Sequence, residues 1–418
     1  MWRRYVPVIV LLTLAALLGT ACGKEPTPIQ TGPSCPITIG IITSRTGKQT
    51  GVGQEGEKGY DLAVQEINEA GGVLGCELRL EYIDDGSTAE GGQLGLKALV
   101  EESHVPLVIG TPSSETTMPV AGVANAFEVP LLVTLASSDL ITERGYEWVF
   151  RIIAPSESYA KAALSFIQKQ GKTRVAIIYE DSFFGESIAV PGAQGAPDLG
   201  LHVVAYESFK AGLPDYSALL NRVKAAAPEV LYLVARPAEA SKLMQQCEAV
   251  GLDAQIYIGL GGGFIASDFP AKGGRYAEYV IATTQWNTDA TWPGVSDFIQ
   301  RFQEAYDMVP GTRHAQSYVA IYLVQDALER LDPDLDWSDI AAVRLALRGA
   351  LQDTNITVKD ERPSLTLFGP IAFEQTTGQN SHTVLLVQVL NGRFVTVYPQ
   401  DAAARDPVVP APRWIERP

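Results

Sequence analysis

The segment ITIGIITSRTGKQTGVGQEGEKGYDLAVQEINEAGG at 37–72 carries a strand pattern followed closely by a helix pattern. Its first six residues, ITIGII, form the continuous apolar run that is typical of a strand buried on both faces. The residues at helical positions i, i+3, i+4 and i+7 are apolar, namely Tyr60, Ala63, Val64 and Ile67. The pair Gly71-Gly72 is a helix stop. The segment therefore predicts one strand-helix unit.

The same segment contains GVGQEG at 51–56, which matches the G-x-G-x-x-G pattern of dinucleotide-binding loops. In a dinucleotide fold the first glycine follows its strand almost at once. Here TSRTGKQT at 43–50 lies between the strand and that glycine. We therefore predict no nicotinamide cofactor, and no other cofactor. The glycines are expected to let a loop turn into a helix that begins near Gly53, with Thr46 and Gln54 as candidates for ligand contact.

Strand and helix patterns alternate along most of the chain. The apolar runs are ITIGII at 37–42, LRLEYI at 78–83, PLVIG at 106–110, PLLVT at 130–134, RVAIIY at 174–179, HVVAYE at 202–207, EVLYLV at 229–234, QIYIG at 255–259 and YVIATT at 279–284. This alternation predicts an α/β fold with parallel sheets covered by helices on both faces. So many units exceed what one open sheet usually carries, and we expect two doubly wound lobes.

Three breaks interrupt the alternation, near 150–158, 283–294 and 367–380. The predicted division is lobe 1 at 36–153 and 289–370, lobe 2 at 154–288 and 371–400, and a Pro-rich tail without clear structure at 401–418. Helix patterns follow the second break at 295–306, 314–331 and 337–350. Asn391-Gly392 predicts a hairpin near the end. Three crossovers between two lobes predict a hinged clamshell, with the ligand in the cleft.

The composition limits the classes of partner. The chain has 418 residues, of which 46% are hydrophobic and 19% charged, and its net charge is −16. This composition supports large cores. The acidic charge argues against nucleic acid or an anionic membrane surface as the main partner, because both attract basic surfaces. We expect a monomer.

The N-terminus has the pattern of an export signal. Two arginines precede an apolar run at 6–18, and small residues then lead to Cys22. We predict a signal peptide at 1–21; an uncleaved membrane anchor is the alternative. LLGTAC resembles a bacterial lipoprotein signal, in which the cysteine is lipid-modified, although Gly19 stands where such signals usually have leucine. Residues 22–35 are rich in small and turn-forming residues and predict a flexible tether. The expected location is extracytoplasmic, with attachment to a membrane through the lipid alone.

Exported proteins can keep disulfides. Cys35 and Cys76 each stand immediately before a predicted strand, so a bridge is reasonable if those strands are parallel neighbours. The bridge would be worth roughly 4 kcal/mol in the chain-entropy model; two unpaired buried thiols are the alternative. Cys247 lies in a helical pattern and is expected to be a small core residue. The four histidines are widely spaced, and we predict no metal site.

Two loops that follow predicted strands carry paired hydroxyls. Ser113 and Ser114 follow PLVIG, and Ser137 and Ser138 follow PLLVT. Hydroxyls and free helix N–H groups form a good receptor for a carboxylate. The simpler interpretation of the first pair is a helix N-cap. Because loops on adjacent strands converge, we favour binding.

Further candidates lie at other strand ends. Phe184 stands in EDSFFGES, Arg236 follows EVLYLV, and a glycine run, GLGGGF, occupies 259–264. Trp286 flanks the second break. Arg236 could pair with a ligand carboxylate, or it could be a surface arginine. Catalytic motifs such as G-x-S-x-G and H-E-x-x-H are absent from the sequence, and we predict that the protein is not an enzyme.

Several segments together resemble the branched-chain amino-acid-type, leucine-binding-protein-like periplasmic binding proteins of ABC importers. The markers are the segment from 37 to 75, VIGTPSSETTMPVAGVANAFEVPLL at 108–132, LITERGYEWVFRI at 140–152 and RVAIIYEDSFFGES at 174–187. The resemblance covers about 36–398. It implies the two-lobed type I fold with three crossovers, no catalysis, a small-molecule ligand between the lobes, and a membrane permease as partner.

The resemblance also assigns site residues. Ser114 matches the serine that binds the ligand carboxylate, and Ser137 matches a family threonine. Leu135, with its neighbour Ala136, matches a position that contributes backbone groups. Two positions depart from the family pattern, namely Phe184 for a tyrosine and Leu260, beside Gly261 in the glycine run, for the glutamate that holds an ammonium group. Arg236 lies in the region of another family aromatic residue. The missing ammonium acceptor puts an α-amino acid ligand in doubt.

The sequence thus predicts a lipid-anchored solute-binding protein that delivers a small polar metabolite, an amino acid or a related carboxylate or amide, to an ABC-type permease. Ser114 and Ser137 are expected to hold its polar head, while Phe184 and Trp286 form walls. The alternative is a ligand sensor of the same fold for a receptor kinase or chemoreceptor. A paired-carboxylate hydrolase is the third hypothesis.

Overall fold

The structure, a computed structural model, describes residues 32–380, 383–400 and 402–417. The predicted signal peptide at 1–21, the predicted lipidation site Cys22 and most of the predicted tether lie outside the described residues. Within the described part of the chain, no helix is both long enough and apolar enough to span a bilayer.

The N-terminal part of the chain forms a parallel sheet. Its elements are β1 (Ile37–Thr43), α1 (Thr50–Glu69), β2 (Leu78–Asp84), α2 (Ala89–Glu101), β3 (Val108–Gly110), α3 (Ser114–Ala126), β4 (Leu131–Val133) and β5 (Val149–Arg151). The five strands are ordered β2-β1-β3-β4-β5. Because successive side chains point to opposite faces, Ile41 packs in the core beside α1, whereas Ile42 packs beside α2 and α3. Both faces of this sheet are therefore covered.

The middle of the chain forms the second lobe. Its elements are α4 (Ser156–Lys169), β6 (Arg174–Glu180), α5 (Phe183–Gly195), β7 (His202–Phe209), α6 (Ser217–Ala225), β8 (Val230–Val234), α7 (Pro237–Ala249), β9 (Ile256–Leu260), α8 (Phe269–Gly273) and β10 (Ile281–Thr284). These strands are parallel to one another. Helices α4 and α5 cover one face of the sheet, and α6 and α7 cover the other.

The C-terminal part of the chain returns to each lobe in turn. Its elements are α9 (Val295–Tyr306), α10 (Thr312–Glu329), α11 (Ile340–Gln352), β11 (Asn355–Ile356), α12 (Pro363–Thr366), β12 (Ile371–Ala372), β13 (Leu385–Leu390) and β14 (Arg393–Tyr398). The helices pack on the first lobe. The β13–β14 hairpin adds antiparallel strands to the second sheet, in the order β14-β13-β10-β9-β8-β6-β7. The predicted hairpin and the three predicted helices are present.

The chain crosses between the two sheets three times, after β5, after β10 and after β12. Buried polar groups join the first crossover to the third. The Arg151 Nε donates to Gln379 Oε1 at 2.6 Å, and the Gln379 Nε2 donates to the carbonyl of Ile153 at 2.7 Å. The two-lobed α/β fold with three crossovers is therefore as predicted.

Two boundary expectations need correction. Ile371 and Phe373 pack in the core of the first lobe, so that lobe continues past residue 370, to about Asn380. The tail, expected to have no clear structure, packs against the second lobe. Trp414 is 4% exposed, and its Nε1 donates to the carbonyl of Leu252 at 2.9 Å. An isolated tryptophan in a Pro-rich segment has no periodicity that would predict this packing.

A disulfide joins Cys35 and Cys76. The parallel register pairs Ile37 with Leu78, which places both cysteines at the same edge of the sheet and confirms the predicted bridge. Cys247 lies fully buried in the core of the second lobe, also as predicted, and burial raises the pKa of its thiol to about 12. Cys247 therefore stays a protonated thiol at neutral pH, and a thiol is a poor nucleophile and metal ligand.

Candidate functional site

A cavity lies between the lobes, where the carboxyl ends of strands from both sheets meet. Its wall is formed by the loops after β1, β3 and β4 in the first lobe and after β6, β8 and β9 in the second, together with the start of α10. The predicted ligand-binding residues that line it are Ser113, Ser114, Leu135, Ala136, Ser137, Phe184, Arg236 and Gly261. The site therefore lies at the carboxyl ends of the strands, which is where ligands bind in open α/β sheets.

The two serines after β3 have different roles. Ser113 is the N-cap of α3, because its Oγ accepts the N–H of Thr116 at 3.3 Å. The simpler interpretation is thus right for Ser113. The Ser114 Oγ accepts the N–H of Ser138 at 3.3 Å, which joins the loop after β3 to the loop after β4. The two loops converge as predicted, and the first turn of α3 presents N–H groups at the cavity wall.

A buried arginine makes hydrogen bonds to the loop after β4. Arg151 is fully buried and donates from Nη1 to the carbonyl of Ser138 and from Nη2 to Thr142 Oγ1. Burial lowers the pKa of its guanidinium to about 10. The carbonyl of Ser137 in the same loop accepts a hydrogen bond from the N–H of Ser156, at the start of α4, at 2.8 Å. Hydrogen bonds to two neighbouring carbonyls therefore hold this loop in position at the wall.

Arg236 connects the two lobes. Its Nη2 donates to both carboxylate oxygens of Glu115 on α3, at 2.7 and 2.8 Å, and its Nη1 is ion-paired with Glu180 at the end of β6. Burial raises the pKa of the Glu115 carboxyl, but the charge of Arg236 outweighs it, so the net shift is downward. For Glu180, burial dominates and the pKa is raised. Arg236 is therefore not a free surface arginine.

A second ionic group connects the lobes on the other side of the cavity. Arg313, on α10, pairs with Glu55 on α1 and donates to the carbonyl of Gly262 in the second lobe. Glu55 also accepts the hydroxyl of Ser267 from the second lobe at 2.7 Å. Burial opposes ionisation of Glu55, but Arg313 and the other partners outweigh it and lower its pKa to about 2. The structure thus has the lobes bridged at two places.

Phe184 and Gly261 face each other in the second lobe. Gly261 has φ +77°, and a Cβ built on it would lie 2.3 Å from Phe184 Cζ. Arg236 lies over the same ring, with its Cζ 5.1 Å from the centroid. Position 261 therefore requires glycine for its backbone and for its close approach to the ring.

The two candidates from the glycine-rich segment lie outside the cavity. The Thr46 hydroxyl donates to Asp84 Oδ2 at 2.7 Å, and Gln54 is exposed on α1. The residues of this segment that reach the cavity are Gln49 and Val52. The helix begins at Thr50 instead of near Gly53, so Gln49 is its N-cap and Val52 lies in its first turn.

Leu260 and Trp286 also do not line the cavity. Leu260 is the last residue of β9 and is fully buried in the core of the second lobe. Trp286 is 1% exposed and packs edge-on against Phe298 in the core of the first lobe, with ring centroids 5.7 Å apart. It borders a different cavity, between β10 and the loop before α10. The expectation that Trp286 walls the site is therefore wrong.

Sequence reasoning missed several lining residues, namely Gln49, Tyr159, Thr283, Arg313 and Gln316. Most of them stand on helices or within strands, so the search for loops at strand ends could not find them. Arg313 and Gln316, three positions apart at the start of α10, share one helical face. No sequence signal separates that face from an ordinary helix surface.

His314, next to Arg313, makes stability depend on pH. It is fully buried, and its Nδ1 accepts the N–H of Gly311 at 2.8 Å. Burial lowers its pKa to about 4; Glu55 opposes this shift, while Lys58 and Arg313 add to it. Between pH 6.5 and pH 4 the unfolded chain therefore binds more protons at this position than the folded chain, so stability falls as the pH falls.

We expect His314→Asn to lose less stability on acidification than the wild-type protein. The difference between the two proteins should be about 2 kcal/mol between pH 7 and pH 5, because that interval covers about 1.5 pH units below the unfolded pKa. Urea unfolding at both pH values measures it. Parallel stability losses in the two proteins would show that His314 does not titrate in this way.

No group of three or more His, Cys, Asp or Glu side chains that could hold a metal ion occurs in the described ranges. The acidic side chains near the cavity are engaged with Arg236 and Arg313. The site offers hydroxyls, helix N–H groups, guanidinium groups and apolar walls, which suit the binding of a small polar molecule.

Comparison with known proteins identifies the family. The family model described as periplasmic binding protein matches residues 36–393. A Leu/Ile/Val-binding protein homolog 7 of Brucella suis is 28% identical over 414 residues, which cover 95% of this chain and 97% of the relative. A Leu/Ile/Val-binding protein homolog 3 of Brucella melitensis is 28% identical over 368 residues, covering 86% and 93%.

Solved structures share the fold. The branched-chain amino acid transporter substrate-binding protein LivJ of Streptococcus pneumoniae, in complex with isoleucine, superposes with a TM-score of 0.75 at 22% identity, covering 87% of this chain and 99% of that chain. A solute-binding protein of an R. palustris ABC transporter, in complex with benzoate, gives 0.76 at 18% identity, covering 90% and 99%. At these identities the likeness establishes the two-lobed fold and leaves the ligand of this chain open.

Proposed function

The chain belongs to the periplasmic binding protein family, and we propose that it captures a small polar metabolite outside the cytoplasm and delivers it to an ABC-type permease. The ligand class is an amino acid or a related carboxylate or amide. We further propose that a signal peptide at 1–21 directs export and that a lipid on Cys22 tethers the protein to a membrane. Capture involves no chemical step.

One observation carries the proposal: the Ser114 Oγ and the first turn of α3 meet the loop after β4 at the wall of a cavity enclosed by both lobes. A helix N-terminus with an adjacent hydroxyl favours an anionic group. The apolar side chains of Leu135, Ile153 and Phe184 provide walls for the remainder of the ligand. A carboxylate head with a partly apolar body fits these surroundings.

Closure of the lobes is the proposed means of capture. The bridges made by Arg236 and by Glu55 with Ser267 join residues of opposite lobes around the cavity. A ligand that touches both lobes binds the closed arrangement better than an open one and so shifts the population toward it. The closed arrangement then presents a surface made by both lobes to the permease.

Replacing Ser114 with alanine is expected to weaken binding about tenfold, because one hydrogen bond to a charged group contributes about 1.5 kcal/mol. A thermal-shift screen of the purified protein against a metabolite library first identifies the tightest-binding compound, and calorimetry then compares the two proteins. Ser296→Ala, on the exposed surface of α9, is the matched control. If Ser114→Ala binds as tightly as the control, the carboxylate does not sit at α3.

A further inference from the structure

We propose that the cavity takes a small carboxylate with an apolar body and no ammonium group. The inference rests on the proposed function and narrows the ligand class of the same site. It follows from the distribution of charge around the cavity.

The charged side chains on the wall all have one sign. Arg236 and Arg313 line the cavity, and no aspartate or glutamate of the described chain lies among the lining residues. The two guanidinium groups stand on opposite lobes, and nearby glutamates neutralise their charge. A guanidinium group offers N–H donors and no acceptor, so it can bind a carboxylate oxygen and cannot bind an ammonium group.

The nearby glutamates lie behind the arginines. Glu115 is bound through both oxygens to Arg236, and Glu55 is engaged by Arg313 and Ser267. Glu180 also pairs with Arg236, and its side chain is only 2% exposed. Each of these carboxylates is thus already paired with an arginine, and an ammonium group in the cavity would compete with that arginine for it. A buried ammonium without an anionic partner is costly.

The remaining polar groups suit a carboxylate. The Thr283 hydroxyl lines the cavity, is buried, and has no hydrogen-bond partner among the described residues. Ser114 and Ser137 add hydroxyls on the first lobe. Each hydroxyl can donate to a carboxylate oxygen. Neutral hydroxyls do not supply the opposite charge that a buried ammonium requires.

The apolar part of the cavity wall favours a ligand whose body, apart from the carboxylate, is apolar. Val52, Leu135, Ile153, Phe184 and Ile265 face the cavity from both lobes. An aliphatic or aromatic group buried against them gains roughly 25 cal/mol for each square ångström removed from water. The chemistry that fits is therefore a branched aliphatic or aromatic monocarboxylate.

Calorimetry with matched compounds tests the inference on the purified wild-type protein. Isocaproate, L-leucine and isocaproamide share one branched body and differ in the α-ammonium and the carboxylate; hydrocinnamate, L-phenylalanine and hydrocinnamamide form the aromatic set. We expect at least one acid to bind about tenfold or more tightly than its amino acid and its amide. That ratio corresponds to about 1.4 kcal/mol.

The outcomes separate this inference from the proposed function. An amino acid or an amide that binds as tightly as its acid would overturn the inference and leave the solute-binding function intact. Absence of binding by all six compounds at millimolar concentration would also overturn the inference, whereas the proposed function would fail only if no compound of the metabolite library bound.

Glu180→Gln provides a second readout. Glu180 pairs with Arg236 through Oε1, and its buried Oε2 has no hydrogen-bond partner among the described residues, so this oxygen is an alternative acceptor for an ammonium group. We expect the substitution to leave the ratio of acid affinity to amino-acid affinity within threefold of its wild-type value, since general effects on folding or closure cancel in that ratio. A selective loss of amino-acid binding would identify Glu180 as an ammonium acceptor and overturn the proposal.

Discussion

Arg236→Ala should weaken binding of the best acid of the matched panel by roughly 100-fold or more. Arg236 joins Glu115 of the first lobe to Glu180 of the second, and its side chain is 12% exposed. Its removal leaves the buried carboxylate of Glu180 and the partly buried carboxylate of Glu115 without a cation. Truncating one partner of a buried charge pair costs about 2–5 kcal/mol. The substitution should destabilise the closed arrangement, in which Arg236 joins the lobes, and the ligand binds to that arrangement. Calorimetry of the variant and the wild-type protein measures the change.

Two further variants separate bridging from direct ligand contact. Glu115→Gln removes the interlobe partner, which does not line the cavity, and keeps Arg236 in place; we expect a loss of about tenfold. Arg222→Ala breaks an exposed pair with Glu207 inside the second lobe and should change affinity little. Unchanged affinity in Glu115→Gln would mean that Arg236 acts only through the ligand, and that the bridge does not stabilise the closed arrangement.

Gly261→Ala should reduce the same affinity by about 100-fold while the protein remains folded. The new Cβ would meet the Phe184 ring at 2.3 Å, and the backbone at φ +77° disfavours any side chain. The clash can be relieved if the Phe184 ring moves away from residue 261. That movement changes the cavity wall, which Phe184 and Gly261 both line. Calorimetry measures affinity, and circular dichroism reports whether the variant has folded.

Gly171→Ala is the control for backbone strain alone. Gly171 has φ +67°, and a Cβ there would meet no atom within 4 Å. Both variants should lose about 1–2 kcal/mol of stability from the left-handed backbone conformation. Only Gly261→Ala should lose binding. Equal affinities in the two variants would show that the Phe184 ring does not form part of the binding surface.

The fold was largely accessible from the sequence because its strands are buried on both faces. Each of the nine predicted apolar runs contains or overlaps an observed strand, and the strand-helix alternation predicted the parallel sheets. Strand β5, at Val149–Arg151, was read only as strand-like residues at a break. Three residues are too few to show a period. The third crossover falls at the predicted break, but the lobe boundary was placed about ten residues too early because a strand as short as β12 carries no clear pattern either.

The site residues in loops at strand ends could be predicted from the sequence, and those on helices or within strands could not. Ser114 and the loop after β4 were predicted from adjacent strands, and the Ser138–Ser114 hydrogen bond shows their convergence. Arg313 comes from a helix far along the chain, and its role depends on tertiary packing with Glu55. Trp286 was misplaced because a large aromatic residue near a break fits a core as well as a cleft.

A crystal structure with the tightest-binding compound tests the central claim most directly. We predict that the ligand lies between the lobes, with its carboxylate within hydrogen-bond distance of Ser114 Oγ and its body against Phe184. Density for the ligand in the separate cavity beside Trp286, or on an outer surface, would contradict the account.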